Sequence, residues 1–207
     1  MRNKVIISVI NDLVTDQRVN KVCQTVASMN CDVLLVGRKL RNSPDMDNRN
    51  YSVHRMKLLF EKGALFYAEF NIRLFFFLLF KRVNMLISND LDTLLPNYII
   101  SKVRGVPLVY DSHEYFTEVP ELVNRKRIQA IWKHIERNIF PKLENIITVN
   151  DSIADLFYKD YGHRPLVVRN IPRSKNHIDK VSRESLDLPV DRPIIILQGS
   201  GINVDRG

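Results

Sequence analysis

Met85-Leu86-Ile87-Ser88-Asn89-Asp90-Leu91-Asp92-Thr93-Leu94-Leu95 is an apolar run of strand length that opens into polar residues and then takes up helical spacing. Leu108-Val109-Tyr110, followed by Asp111-Ser112-His113-Glu114, begins the same pattern again. Worked outward in both directions, the alternation covers most of the chain. Strands are expected at residues 5–10, 33–36, 52–56, 85–88, 108–110, 146–149 and 166–169, and helices at 17–29, 63–82, 93–104, 125–140 and 152–159. Strand and helix in alternation make right-handed crossovers, so the expected fold is α/β, a doubly wound Rossmann-like parallel sheet covered on both faces. Ligands of such sheets bind outside the carboxyl ends of the strands, which selects the loops at 11–18, 89–93, 111–121 and 150–152.

Composition narrows the class. The 207 residues are 45% hydrophobic and 26% charged, the balance of a folded globular chain rather than a disordered one. The two cysteines, Cys23 and Cys31, form no CxxC pair and have no histidine at metal-ligand spacing, so neither a disulfide framework nor a metal is expected. A reducing cytosol suits them. The start of the chain reads as a first strand rather than a signal-peptide core. Leu74-Phe75-Phe76-Phe77-Leu78-Leu79-Phe80 is bracketed by Arg73 and Lys81, short of the roughly 20 apolar residues of a spanning helix, so no transmembrane segment is expected. The formal net charge of +8 favours anionic partners.

Residues 1–172 are read as one domain and 173–192, polar with prolines towards its end, as a linker. A second domain would begin at 193 with a strand at 194–197 running into Gln198-Gly199-Ser200-Gly201, a turn of the kind that feeds a phosphate-binding helix.

Taken in order, Asp111-Ser112-His113-Glu114 after a strand, Asn150 after the next, Asn170-Ile171-Pro172 before the linker, and Gln198-Gly199-Ser200-Gly201 through Arg206-Gly207 form a series. The series resembles the family-4 retaining glycosyltransferases of the GT-B fold. That resemblance implies two facing Rossmann-like domains, the first for the acceptor and the second for a nucleotide-sugar donor. The implied activity is transfer of a sugar to a hydroxyl of a glycan or lipid-linked saccharide, as in cell-envelope polysaccharide synthesis, with no cofactor or metal. The family's two second-domain glutamates would lie beyond Gly207, so the isolated chain is expected to be inactive. Cytoplasmic residence, peripheral to the inner face of the membrane, is expected as well.

His113 matches the family's first-domain histidine that reaches the donor sugar near its reacting carbon, which makes it the expected catalytic residue. The competing reading is a histidine that bonds its own loop, with Asp111 and Glu114 as turn or capping residues. Arg206 stands where the family places a cation on the donor diphosphate, a role suited to a guanidinium fork, and Gly199 and Gly201 would admit the phosphates closely. Their competing reading is a plain turn. Asp16, Arg18, Asp111, Glu114 and Asn150 are expected in the acceptor cleft. Asp16 serves equally as an N-cap and Arg18 as a solvated charge, and the first loop, 11–18, lacks the glycines of many relatives. Asp90 and Asp92 read as helix-entry caps.

Two helices carry patches. At 63–82, Leu65, Ile72, Phe76 and Leu79 make the expected core stripe, with Phe66, Phe70, Phe75, Phe77 and Phe80 in excess of one buried face. At 125–140, Ile128, Ile131, Trp132, Ile135 and Ile139 are expected to pack on the sheet beneath a basic outer face. An anionic membrane surface is the further partner that these patches suggest. Nucleic acid is not expected, because no RNP or finger motif is present, and the missing GxGxxG fingerprint argues against a dinucleotide enzyme. A non-catalytic module that binds a sugar nucleotide or another anionic ligand is the alternative reading.

Overall fold

The computed structural model describes residues 2–171 and 181–196. Two compact units divide the chain, residues 1–170 and 171–207. The first holds seven strands in a single sheet, all parallel, in the order β3-β2-β1-β4-β5-β6-β7. The strands are β1 (Lys4–Asp12), β2 (Asp32–Lys39), β3 (Ser52–Lys57), β4 (Met85–Asn89), β5 (Leu108–Ser112), β6 (Asn145–Thr148) and β7 (Leu166–Val167). The helices between them are α1 (Gln17–Ser28), α2 (Gly63–Phe80), α3 (Leu91–Arg104), α4 (Pro120–Val123), α5 (Lys126–Ile139) and α6 (Asp151–Tyr161).

The central strand shows why apolar runs rather than strict alternation mark this sheet. Both faces of a parallel sheet are covered, so both side-chain sets of β1 are buried. Val5, Ile7 and Val9 pack with Val19 and Cys23 of α1, while Ile6 and Ile10 join the core built on α2, α3 and α5. From β1 the chain winds outward through β2 to β3, and from β4 it winds the other way to β7. Loops leaving β1 and β4 therefore diverge and open a crevice at their carboxyl ends.

Two contacts set this edge. Gly37 of β2 lies under Leu13, in the turn after β1, so closely that a β-carbon there would meet Leu13 Cγ and the Val9 carbonyl oxygen, each at 2.9 Å. In α3, Pro96 has no N–H to offer the Asp92 carbonyl one turn earlier. Asn71 of α2 donates its side-chain amide to that carbonyl instead, at 2.9 Å, tying the two helices together beside the crevice.

Several expectations are corrected. The row of α2 that enters the core is Phe66, Phe70, Leu74 and Leu78, while Leu65, Ile72 and Phe76 are exposed. A helix apolar on all sides does not reveal which of its rows packs. On α5 the buried residues are Gln129, Trp132, Glu136 and Ile139, and Ile128 and Ile131 face outward. The two buried polar residues find partners: Gln129 donates to the Thr117 carbonyl at 2.8 Å, and Glu136 accepts from the Tyr161 hydroxyl at 2.7 Å. In the second unit, residues 194–196 form no strand, and Ile195 and Ile196 are exposed. A lone strand has no neighbour to satisfy its backbone groups. Residue 197, the end of that expected strand, lies outside the described residues.

Candidate functional site

The carboxyl ends of β1, β4 and β5 bring one charged cluster together. Asp111, the penultimate residue of β5, is 1% exposed, and its Oδ1 takes a 2.7 Å ion pair from Arg18 of α1. The arginine reaches across the crevice from the first loop's helix, so Arg18 is not the solvated charge of one sequence reading. Such a pair is charge-assisted and shielded from water on one side.

His113 follows two residues later. Its backbone N–H donates to Asp90 Oδ1 at 2.9 Å, and its ring Nδ1 lies 2.8 Å from Asp90 Oδ2. The other ring nitrogen, Nε2, is buried without a hydrogen-bond partner, and Asp111 Oδ2 stands 3.5 Å away. Burial by itself would lower the imidazole pKa, but the carboxylates of Asp111 and Asp90 outweigh it and raise it to about 9. The ring is therefore an imidazolium at neutral pH, with Nδ1–H committed to Asp90. Such a ring donates hydrogen bonds and carries positive charge, and it is already protonated where a general base would need to be free.

Asp90 was expected to cap α3. It occupies the N-cap position but makes no side-chain cap bond, because both oxygens face His113. Its backbone takes φ +60° and ψ 169°, a region that residues with a β-carbon seldom enter and that is found mainly at functional sites. Asp92 makes no cap bond either. It is buried, its Oδ1 has no partner, and burial together with the Asp90 charge pushes its carboxyl well above the usual range.

The other expected residues have local duties. Asp16 is the N-cap of α1, accepting from Val19 N at 3.0 Å, and also receives the Asn11 side-chain amide at 3.1 Å. Asn150 caps α6 through Ile153 N at 2.9 Å. The Glu114 carbonyl accepts from the Ser112 hydroxyl at 3.0 Å, which fixes the turn on which His113 sits. Gly199, Gly201 and Arg206 lie outside the described residues. Among the described residues no group of three or more His, Cys, Asp or Glu side chains is placed to hold a metal ion. Asp90 is the member of this cluster that sequence reasoning missed. Its signal was positional: it directly follows β4, whose neighbour β5 is directly followed by His113.

Comparison with known proteins follows the same lines. The sequence model of Glycosyltransferase Family 4 matches residues 17–174. In fold the chain is similar to sucrose-phosphate synthase from Thermosynechococcus elongatus, with a TM-score of 0.64 and 14% identity over 93% of this chain and 54% of that one. It is similar to Phytolacca americana UGT2 complexed with UDP-2fluoro-glucose and pterostilbene, with a TM-score of 0.53 and 13% identity over 86% of this chain and 56% of that one. A ugt transferase from Siraitia grosvenorii in complex with UDP gives a TM-score of 0.53 and 10% identity, over 90% and 54% of the two chains. The chain thus spans about half the length of these structures. No curated protein sequence gives a significant match.

Proposed function

Because this chain belongs to Glycosyltransferase Family 4, we propose that it forms the acceptor-side half of an enzyme that moves a sugar from a nucleotide-sugar donor to a hydroxyl of a saccharide or lipid-linked acceptor. The observation that carries this reading is His113, held as a buried cation by Asp90 at the mouth of the crevice. Its Nε2–H, buried without a hydrogen bond beside Asp111 Oδ2, is the group that would bond a donor-sugar hydroxyl close to the reacting carbon. Glycosyl transfer passes through an oxocarbenium-like state, in which positive charge grows on the sugar as negative charge grows on the departing diphosphate. Arg206, with Gly199 and Gly201, would meet the diphosphate. Positioning and electrostatics then carry most of the rate.

The reading extends to retention at the anomeric carbon, a reaction without a metal, residence in the cytoplasm, and inactivity of the 207-residue chain by itself. UDP-sugars are the first donors to test, since two of the similar structures contain UDP or a UDP-sugar derivative.

Calorimetric titration with a panel of nucleotide sugars, run on this chain and on a form extended through a donor-binding domain, tests it. Binding and transfer by the extended form alone, persisting in EDTA and collapsing in His113→Ala, is the expected result. Donor binding by the short chain would move the donor site into these residues. Full activity of His113→Ala would remove His113 from the reaction, and silence from both forms would favour a non-catalytic module.

A further inference from the structure

Along the side of α2 opposite its core row, Leu65, Ala68, Ile72, Phe76 and Phe80 follow one another at helical spacing, a stripe about 22 Å long at 1.5 Å per residue. Leu65, Ile72, Phe76 and Phe80 are 53% to 80% exposed. The helix carries two charges, Glu69 and Arg73, and they neutralise each other at 2.7 Å. Glu69 does more than that. Its carboxylate also accepts the backbone N–H groups of Leu59 and Phe60 at 2.9 to 3.0 Å, which holds these two exposed apolar side chains beside the amino-terminal half of the stripe. An acidic residue that might have interrupted an apolar surface thus enlarges it.

Cations bound the surface at both ends: Lys57 and Lys62 before the helix, Lys81 and Arg82 after it, all exposed. The nearby Glu61 is paired with Arg41 at 3.9 Å. A second copy laid on this stripe, parallel or antiparallel, would bring lysine and arginine against lysine and arginine. An anionic surface is complementary instead. Among the described residues α2 is the one helix long and apolar enough to cross a membrane by length and composition. Its Phe66, Phe70, Leu74 and Leu78 row, however, is part of the domain core, so crossing would dismantle the fold.

We propose that this face docks the protein on an anionic phospholipid membrane, with α2 lying in the interface plane, its stripe among the acyl chains and Lys57, Lys62, Lys81 and Arg82 on headgroup phosphates. The surface starts at the crevice end of the sheet and runs to the opposite end, where Lys81 and Arg82 precede β4. The chain enters α2 from the carboxyl end of β3, and Asn71 of α2 bonds the first turn of α3 next to Asp90. Docked in this way, α2 lies along the lipid with its amino-terminal end on the crevice side. The docking residues are not those of sugar transfer, so loss of one property leaves the other measurable.

Flotation of the 207-residue chain with vesicles of phosphatidylcholine alone, or phosphatidylcholine mixed with phosphatidylglycerol, tests the proposal. Binding only to the mixed vesicles is expected, weakening as salt is raised and falling roughly tenfold or more in Phe76→Ser/Phe80→Ser and in Lys81→Glu/Arg82→Glu. Circular dichroism melts of both variants, altered at exposed positions, should match the parent. Failure to bind, equal binding to neutral vesicles, or undiminished binding by the two variants would overturn the proposal. So would a concentration-dependent dimer, seen by sedimentation, that Phe76→Ser/Phe80→Ser abolishes, since it would assign the face to self-association.

Discussion

Asp90 receives both the backbone N–H and the ring Nδ1 of His113, at 2.9 and 2.8 Å, from a backbone held at φ +60°. One carboxylate therefore sets the place and the ring orientation of the histidine and shares with Asp111 in setting its charge. Asp90→Asn keeps the shape and removes the charge. The His113 pKa should fall from about 9 towards its ordinary 6.5, read by NMR titration of the imidazole. In the extended enzyme turnover should drop roughly a hundredfold, the scale of a misplaced catalytic group. The linkage has a definite sign. His113 gains pKa on folding, so its contribution to stability is complete below pH 6.5 and is lost as pH rises through 9. Asp90→Asn should flatten that part of the stability profile.

Arg18→Ala removes the 2.7 Å partner of a carboxylate that is 1% exposed and whose other oxygen already lacks a hydrogen bond. Breaking one side of a buried pair strands the other charge, and a loss of about 3 kcal/mol in urea unfolding is expected. Arg18→Ala combined with Asp111→Asn should lose less than the two single changes added together, because no stranded charge remains.

Glu136 behaves differently from an ordinary surface carboxylate. Burial, reinforced by the charges of Asp160 and Glu118 and opposed by the Tyr161 hydrogen bond and by Lys133, raises its pKa to about 7. A carboxyl whose pKa rises on folding contributes stability that is present below its unfolded value of 4.5 and lost as pH climbs through 7. Glu136→Gln keeps an acceptor for the Tyr161 hydroxyl without the charge. Its melting temperature should exceed the parent's at pH 8 and approach it at pH 5, measured by scanning calorimetry at both.

Gly37→Ala forces a β-carbon against Leu13 and the Val9 carbonyl. Leu13 is fully buried, so the clash cannot be relieved into solvent. A destabilisation of about 1 to 3 kcal/mol in thermal unfolding is expected, the range for overpacked cores.

Much of the fold was legible because parallel strands buried on both faces are written as unbroken apolar runs. Each of the seven expected strands of the first unit is present, and the loops they selected contain Arg18, Asp90, Asp111 and His113. What escaped the sequence has a common cause. On α2, where nearly every residue is apolar, periodicity could not say that Phe66 and not Leu65 turns inward. On α5, Gln129 and Glu136 look like surface residues, and their buried partners, the Thr117 carbonyl and Tyr161, are set by tertiary structure alone. Asp90 resembled a helix cap because caps are local, whereas its bond to His113 spans 23 residues between adjacent strand ends.

The position of β1 bears on how the chain is made. First in sequence, it is interior in the sheet, paired on one edge with β2 and on the other with β4. As the polypeptide leaves the ribosome, residues up to Lys39 suffice to pair the first edge, but the second stays bare until Met85–Asn89 have followed. For about 50 residues of synthesis, seconds at ordinary elongation rates, an apolar strand offers unpaired backbone groups. The run from Val5 to Ile10 is thus an unpaired apolar edge over that interval, open to a chaperone or to another chain.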